Sequence, residues 1–234
     1  MKNDAQKNEM SQSKLYFGKI QETAQKIVLH TGKPLLVLFY CDTNGLILRP
    51  DIKSLFDVMS QKLGTVDDLN VLIHTNGGHP NTAYLLIQQI RRFAKNVNFL
   101  IPHHAYSGGT LMALGSNQII MGPYASLGPI DLQLFGGRLP LLNIDKYVEF
   151  VKHAKEVTSD NKVGEVEDRF STELLLQLTK EIPPTKIGEL FRLRKLSEYY
   201  AKILLSDYMF ANLDYRQKRV ERIVKRLNSD YPDH

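Results

Sequence analysis

The chain of 234 residues has no tryptophan and one cysteine, Cys41. A single thiol excludes an intramolecular disulfide framework and any zinc site built on several cysteines. Such a chain suits a reducing compartment, so a cytoplasmic location is expected. Long apolar runs are also lacking. The longest strongly apolar run, Leu35 to Tyr40, is far short of the roughly 20 residues a membrane-spanning helix needs. Residues 1–14 are polar and charged, with no apolar centre and no small-residue cleavage site, and read as a flexible arm rather than a signal peptide. There is little excess of one charge: 30 Lys and Arg against 25 Asp and Glu give +5 and a pI near 9.1. That balance permits an acidic partner without requiring one.

What is present is ordinary globular material. A hydrophobic fraction of 43% and a charged fraction of 24% supply enough apolar surface to build a core and argue against disorder. Pro34 to Tyr40, Leu69 to His74, Val97 to Pro102 and Gln118 to Met121 are short apolar segments ended by turn residues, the pattern of buried strands. Between them, Ile52, Leu55, Phe56, Met59 and Leu63 recur at helical spacing, and residues 82–94 and 111–114 read as further helices. Strands alternating with helices imply right-handed βαβ units and a mostly parallel sheet covered on both faces. Beyond Leu141 the pattern turns helical, over 144–154, 171–182 and 187–209. The expected organisation is an α/β core over 15–142 and a helical extension over 143–234, within one domain and contributing to an oligomer interface.

Ligands of parallel α/β sheets gather at the carboxyl ends of strands. Two Gly-rich junctions fall there: His74-Thr-Asn-Gly-Gly-His79-Pro80 and Ala105-Tyr106-Ser107-Gly108-Gly109-Thr110. Paired glycines let backbone N–H groups face a cleft unobstructed, which suits an anion or a developing oxyanion. Taken singly, each junction is also what an ordinary turn looks like, with Ser107 as a helix N-cap.

Three motifs occur in order: Thr75-Asn-Gly-Gly78, Tyr106-Ser-Gly-Gly-Thr110 and Ser126-Leu-Gly-Pro-Ile-Asp131-Leu-Gln133. In this order they resemble the serine dehydrogenase proteinase family, which stands with signal peptide peptidase A and the Clp proteolytic subunit in the crotonase-like superfamily. The resemblance is good over 34–142 and weak beyond. It implies a ClpP/crotonase-like fold and an ATP-independent serine protease that hydrolyses peptide bonds as a homo-oligomer, without a cofactor. Ser107 matches the nucleophile, Gly77 and Gly78 the paired glycines of the oxyanion hole, and Gly108 its second donor. The chain departs from the hydrolase pattern G-x-S-x-G at Ala105.

The general base stays open. The Clp subunit carries its histidine in the segment matching Gly128 to Leu132, where this chain has Asp131. Peptidases of the signal peptide peptidase type use a lysine from a following helix, and Lys146 is the nearest candidate, with Lys152 and Lys155 behind it. A lysine base must be buried enough to be neutral. Asp131 could orient the base, line the cleft or cap a turn after Pro129. His103 or His104, shortly before Ser107, is another route to a base. His74, His79, His103 and His104 show no helical metal-ligand spacing, so no metal site is expected. The absent histidine also motivates an alternative: a catalytically inactive crotonase-fold binding or scaffold protein.

The segment Arg216 to Leu227 places Val220, Ile223, Val224 and Leu227 on one stripe of an amphipathic helix. Its six basic residues against Glu221 equal the net charge of the whole chain. A solvated face is the default for such a run; an acidic partner or a membrane surface is the alternative, and no nucleic acid is expected. Tyr199, Tyr200, Tyr208 and Tyr215 read as packing or interface residues.

Overall fold

The computed structural model describes residues 18–40, 45–130, 133–134, 142–143 and 184–228. A helix over 18–31 (α1) leads to β1 (Leu35–Phe39), then α2 (Pro50–Val58), which runs on as a π-helical turn Met59–Leu63. Next come β2 (Val66–His74), α3 (Pro80–Phe93), β3 (Ala94–Ile101), β4 (His104–Ala105), α4 (Gly108–Leu114), β5 (Gln118–Met121) and β6 (Ser126–Leu127). A short antiparallel pair, β7 (Gln133–Leu134) and β8 (Leu142–Asn143), precedes α5 (Pro184–Leu204), its π-helical end Leu205–Met209, and α6 (Arg216–Asn228).

The main sheet is parallel throughout, in the order β1-β2-β3-β5. This is the α/β architecture that the alternating pattern predicts. The strands begin earlier than expected at β2 and β3, because pairing carries the polar starts Val66–Asp68 and Ala94–Asn96 into the ladder. The expected helices over 144–154 and 171–182, the arm over 1–14 and Cys41 lie outside the described residues.

The faces of the sheet are unequal among the described residues. Leu69, Val71 and Ile73 of β2 stand beside Val97, Phe99 and Ile101 of β3, all fully buried. The opposite face carries Asn70 and Asn98, whose side chains satisfy each other: Asn98 Nδ2 donates to Asn70 Oδ1 at 3.2 Å, and Asn70 Nδ2 to Thr31 Oγ1 at 3.2 Å. Full apolar cover of both faces, the usual condition of a parallel sheet, is therefore not what these residues show.

Helix α5 presents Leu190, Leu193, Ser197, Ala201 and Leu204 as its buried stripe and packs on α3 and α4. The aromatic residues divide. Tyr200 stacks on Tyr84 with ring centroids 4.0 Å apart and donates to Asn81 Oδ1, and Tyr208 donates to Gln88 Oε1, whereas Tyr199 and Tyr215 are exposed. In α6, Val220 and Val224 are buried and Ile223 and Leu227 partly so, while the basic residues face solvent. Among the described residues no helix is long and apolar enough to cross a membrane.

Candidate active site

The two Gly-rich junctions meet because β2 and β4 end side by side. Thr75 N–H donates to the His104 carbonyl at 3.2 Å and Tyr106 N–H to the Thr75 carbonyl at 3.0 Å. This bridge brings the loop over 75–79 against the turn into α4.

Ser107 stands at that turn with φ 49 and ψ −111. A positive φ is costly for a residue with a Cβ, so its surroundings must hold it. They do so through the backbone: Ser107 N–H donates to the Pro129 carbonyl at 3.1 Å, and its carbonyl accepts from Leu111 N–H at 3.0 Å. The hydroxyl caps nothing, which corrects the N-cap expectation. The turn tilts Ser107 out of capping geometry and leaves it half-exposed.

Gly77 has φ 106 and presses on the serine. A Cβ there would stand 2.7 Å from both the Ser107 Cβ and the Tyr106 carbonyl oxygen. The Gly77 N–H donates to Thr75 Oγ1 at 2.9 Å and its carbonyl accepts from Ile47 N–H at 2.8 Å. Of the two glycines, then, Gly78 is the one whose N–H has no acceptor among the described residues. Gly108, at the first position of α4, is in the same state, as first-turn amides of a helix are. The two groups are neighbours: a Cβ on Gly108 would lie 3.2 Å from Gly78 N. Two neighbouring N–H groups without an acceptor among the described residues, one of them on the residue after a serine, are the kind of donors that stabilise an oxyanion.

Residues outside the predicted set support this geometry. The Thr110 hydroxyl reaches both the Ala105 and Gly128 carbonyls at 2.8 Å, joining the strand before the serine to the segment after β6. Tyr106 lies over Gly128 and hydrogen-bonds Ser126 through its hydroxyl at 3.1 Å. Ile130 N–H donates to the Leu227 carbonyl at 3.1 Å, so α6 braces the segment that holds Ser107. The motif Tyr-Ser-Gly-Gly-Thr could have flagged Thr110; nothing local flags Ile47 or Leu227.

Lys146, Lys152, Lys155 and Asp131 lie outside the described residues. The histidines take two different places. His79 is exposed and caps α3, accepting from Asn81 N–H at 3.3 Å. His74, His103 and His104 gather, with ring nitrogens within 4.8 Å of one another. Helical spacing rules are blind to such a group, because parallel strand ends bring it together.

A family model described as ClpP-like SDH-type serine proteinase matches residues 59–167, just under half of the chain. The resemblance read from the three motifs is borne out over that stretch, which spans both glycine junctions and Ser107. Two uncharacterized proteins of Methanocaldococcus jannaschii are similar. One is 40% identical over 81 residues, covering 35% of this chain and 28% of that protein. The other is 25% identical over 169 residues, covering 70% and 47%. The chain thus spans less than half the length of these curated relatives. Among solved structures, two variants of the 1510-N membrane-bound stomatin-specific protease align with 54% of this chain. A serine-to-alanine variant has 19% identity, 64% of its own chain covered and a TM-score of 0.37. A lysine-to-alanine variant in complex with a substrate peptide has 20% identity, 60% covered and a TM-score of 0.37.

Proposed function

We propose that the chain is a serine peptidase acting on protein or peptide substrates through a Ser107 acyl-enzyme. The family match over 59–167 supports a serine proteinase, and one observation carries the assignment to this residue. Ser107 is held at φ 49 on a turn where its hydroxyl makes no cap hydrogen bond, beside the N–H of Gly108 and near that of Gly78. Strain of that kind persists where the surroundings enforce it, and nucleophiles are a known reason.

In the proposed reaction Ser107 Oγ attacks the scissile carbonyl carbon and its proton passes to a base. The carbonyl oxygen, now negative, is received by the Gly78 and Gly108 N–H groups; Gly77 shapes the turn and keeps the approach open. The C–N bond breaks as the base returns the proton to the leaving amine, and water then hydrolyses the Ser107 ester by the same route. Lys146 is the proposed base, acting in its neutral form, with Asp131 orienting it or lining the cleft. No step consumes a nucleotide, so the peptidase is proposed to be ATP-independent. A homo-oligomer is part of the proposal, supported by the exposed Ile120 and Met121 on β5, the outermost strand of the main sheet among the described residues.

A fluorophosphonate probe tests this reading. Wild type should label once per chain, Ser107→Ala not at all, and Lys146→Ala at a strongly reduced rate. Labelling retained in Ser107→Ala overturns the nucleophile, and full-rate labelling of Lys146→Ala overturns the Ser–Lys pairing. Complete silence of the wild type, over a range of pH and with casein-like substrates, would favour a binding or scaffold role.

A further inference from the structure

The three histidines brought together at the strand ends form a group to which the proposed Ser107–Lys146 reaction gives no role. His74 closes β2, and His103 and His104 follow β3, so the trio spans the two strand ends that lead into the Gly77–Gly78 and Ser107 loops. His74 and His104 are buried and His103 is exposed. The buried rings are held on both sides. Phe39 stacks on His74 at 4.9 Å, His74 lies 4.2 Å from His104, and Tyr106 stacks on His104 at 4.5 Å.

The hydrogen bonds set the nitrogens. His104 Nε2 lies 3.0 Å from Asn76 Oδ1, and a carboxamide oxygen only accepts. In the neutral ring Nε2 therefore carries the proton and Nδ1 presents a lone pair. His103 Nδ1 stands 2.6 Å from that Nδ1 and donates its proton to it. An imidazole whose far nitrogen is fixed on an amide or carboxylate oxygen, with its near nitrogen facing other imidazoles, is how metal-binding histidines are oriented.

We propose that His74, His103 and His104 form a three-imidazole site for a divalent first-row transition ion of the zinc class. Metal–nitrogen bonds of about 2.0–2.1 Å place tetrahedral ligand atoms about 3.4 Å apart, a spacing these rings reach by small rotations from their present separation of within 4.8 Å. The His103–His104 contact has to open. The proton on His103 Nδ1 moves through solvent to its own Nε2, and all three rings bind neutral with no net proton released. Imidazole donors favour zinc, copper, nickel and cobalt over magnesium or calcium. Exposed His103 is the entry side, and a fourth position stays for water. A bound ion would tie the two strand ends together and fix the Asn76–His104 contact beside the glycine loop.

The test uses the full chain without a histidine tag, stripped of metal by a chelator, and reads binding directly rather than peptidase activity. It therefore stands or falls apart from the Ser107 assignment. Titration with Co²⁺ should give visible d–d bands saturating at one equivalent and abolished by Zn²⁺, and Zn²⁺ should raise the thermal midpoint. His103→Ala, at an exposed position, should weaken Zn²⁺ binding at least tenfold and remove the bands; Asn76→Ala should weaken it about 10–100-fold through loss of the orienting bond. His30→Ala, on the exposed face of α1, should bind as wild type. Should His74→Ala or His104→Ala not fold, His103→Ala and Asn76→Ala decide the matter. No saturable equivalent in the wild type, or several weak equivalents indifferent to His103→Ala, overturns the site.

Discussion

Gly77 and Ser107 stand so close that a Cβ added to Gly77 would meet the Ser107 Cβ at 2.7 Å. Backbone N–H groups can approach the serine because nothing is interposed, and the absent side chain is a condition of the site. Gly77→Ala is expected to lose probe labelling at Ser107 and to cost on the order of 1–3 kcal/mol, since φ 106 is itself strained for alanine. Labelling kinetics and a denaturant melt check both halves.

The conformation of Ser107 makes a stability–activity trade measurable. Glycine tolerates φ 49, so Ser107→Gly should be more stable than wild type by up to about 1–2 kcal/mol, after glycine's greater chain entropy is offset. Ser107→Ala retains the strain and should melt close to wild type. Both should be silent to a fluorophosphonate. Equal melting of the glycine and alanine variants would show that the turn stores no strain.

Thr110 is fully buried, and its hydroxyl serves two carbonyls. Thr110→Val keeps the shape and removes the hydroxyl from both carbonyls, leaving Ala105 only its bond from Gly128 N–H, at a cost of about 1–3 kcal/mol, with slower acylation of Ser107 as the turn loosens. Thr110→Ser should recover most of each. Thermal melts beside labelling rates distinguish this from a simple packing role, which valine would satisfy.

Tyr40 gives the fold an alkaline limit. Its phenol is pushed well above the ordinary value of about 10, first by burial, then by the negative charge of Asp51 and by the bond it donates to that carboxylate at 3.2 Å. Below about pH 10 the phenol is protonated folded and unfolded alike, and its contribution is complete. Above that, the unfolded chain ionises first, so stability falls as pH rises. Tyr40→Phe should flatten this limb in denaturant melts between about pH 9 and 11. Some slope will persist, because burial also raises Tyr84 and Tyr200.

In α6 the apolar stripe and the basic face should separate cleanly. Val224→Asp places a charge in a fully packed position and should unfold α6 and disturb the Ile130–Leu227 bond behind Ser107. Replacing Lys218, Arg219 and Arg222 by glutamine, all exposed, should change stability by less than about 0.5 kcal/mol each. A melt and a labelling assay on both variants decide it.

Much of the architecture is legible in the chain because it is local. Residues 118–121 read as a strand and form one; the stripe at Val220, Ile223, Val224 and Leu227 reads as a packed face and is one. Element starts were less legible: the ladder recruits Val66–Asp68 and Ala94–Asn96, whose polarity gives no strand signal, since their hydrogen bonds come from neighbours far away in sequence. Ser107 was visible from its motif, but its refusal to cap was not, because an N-cap serine and a strained nucleophile turn share one composition.

By itself the sequence determined the alternation of strands and helices, the two glycine junctions at strand ends and the serine between glycines. Periodicity and the freedom of glycine to take positive φ are properties of a few consecutive residues. Tertiary structure alone decided that Gly77 spends its N–H on Thr75 while that of Gly78 has no acceptor among the described residues, and that Ile47 and Leu227 brace the two loops. It also decided that three histidines from two strand ends share one corner. Each of these depends on the lateral order and register of parallel strands. That register is set by long-range packing across the sheet, and no short stretch of the chain encodes it.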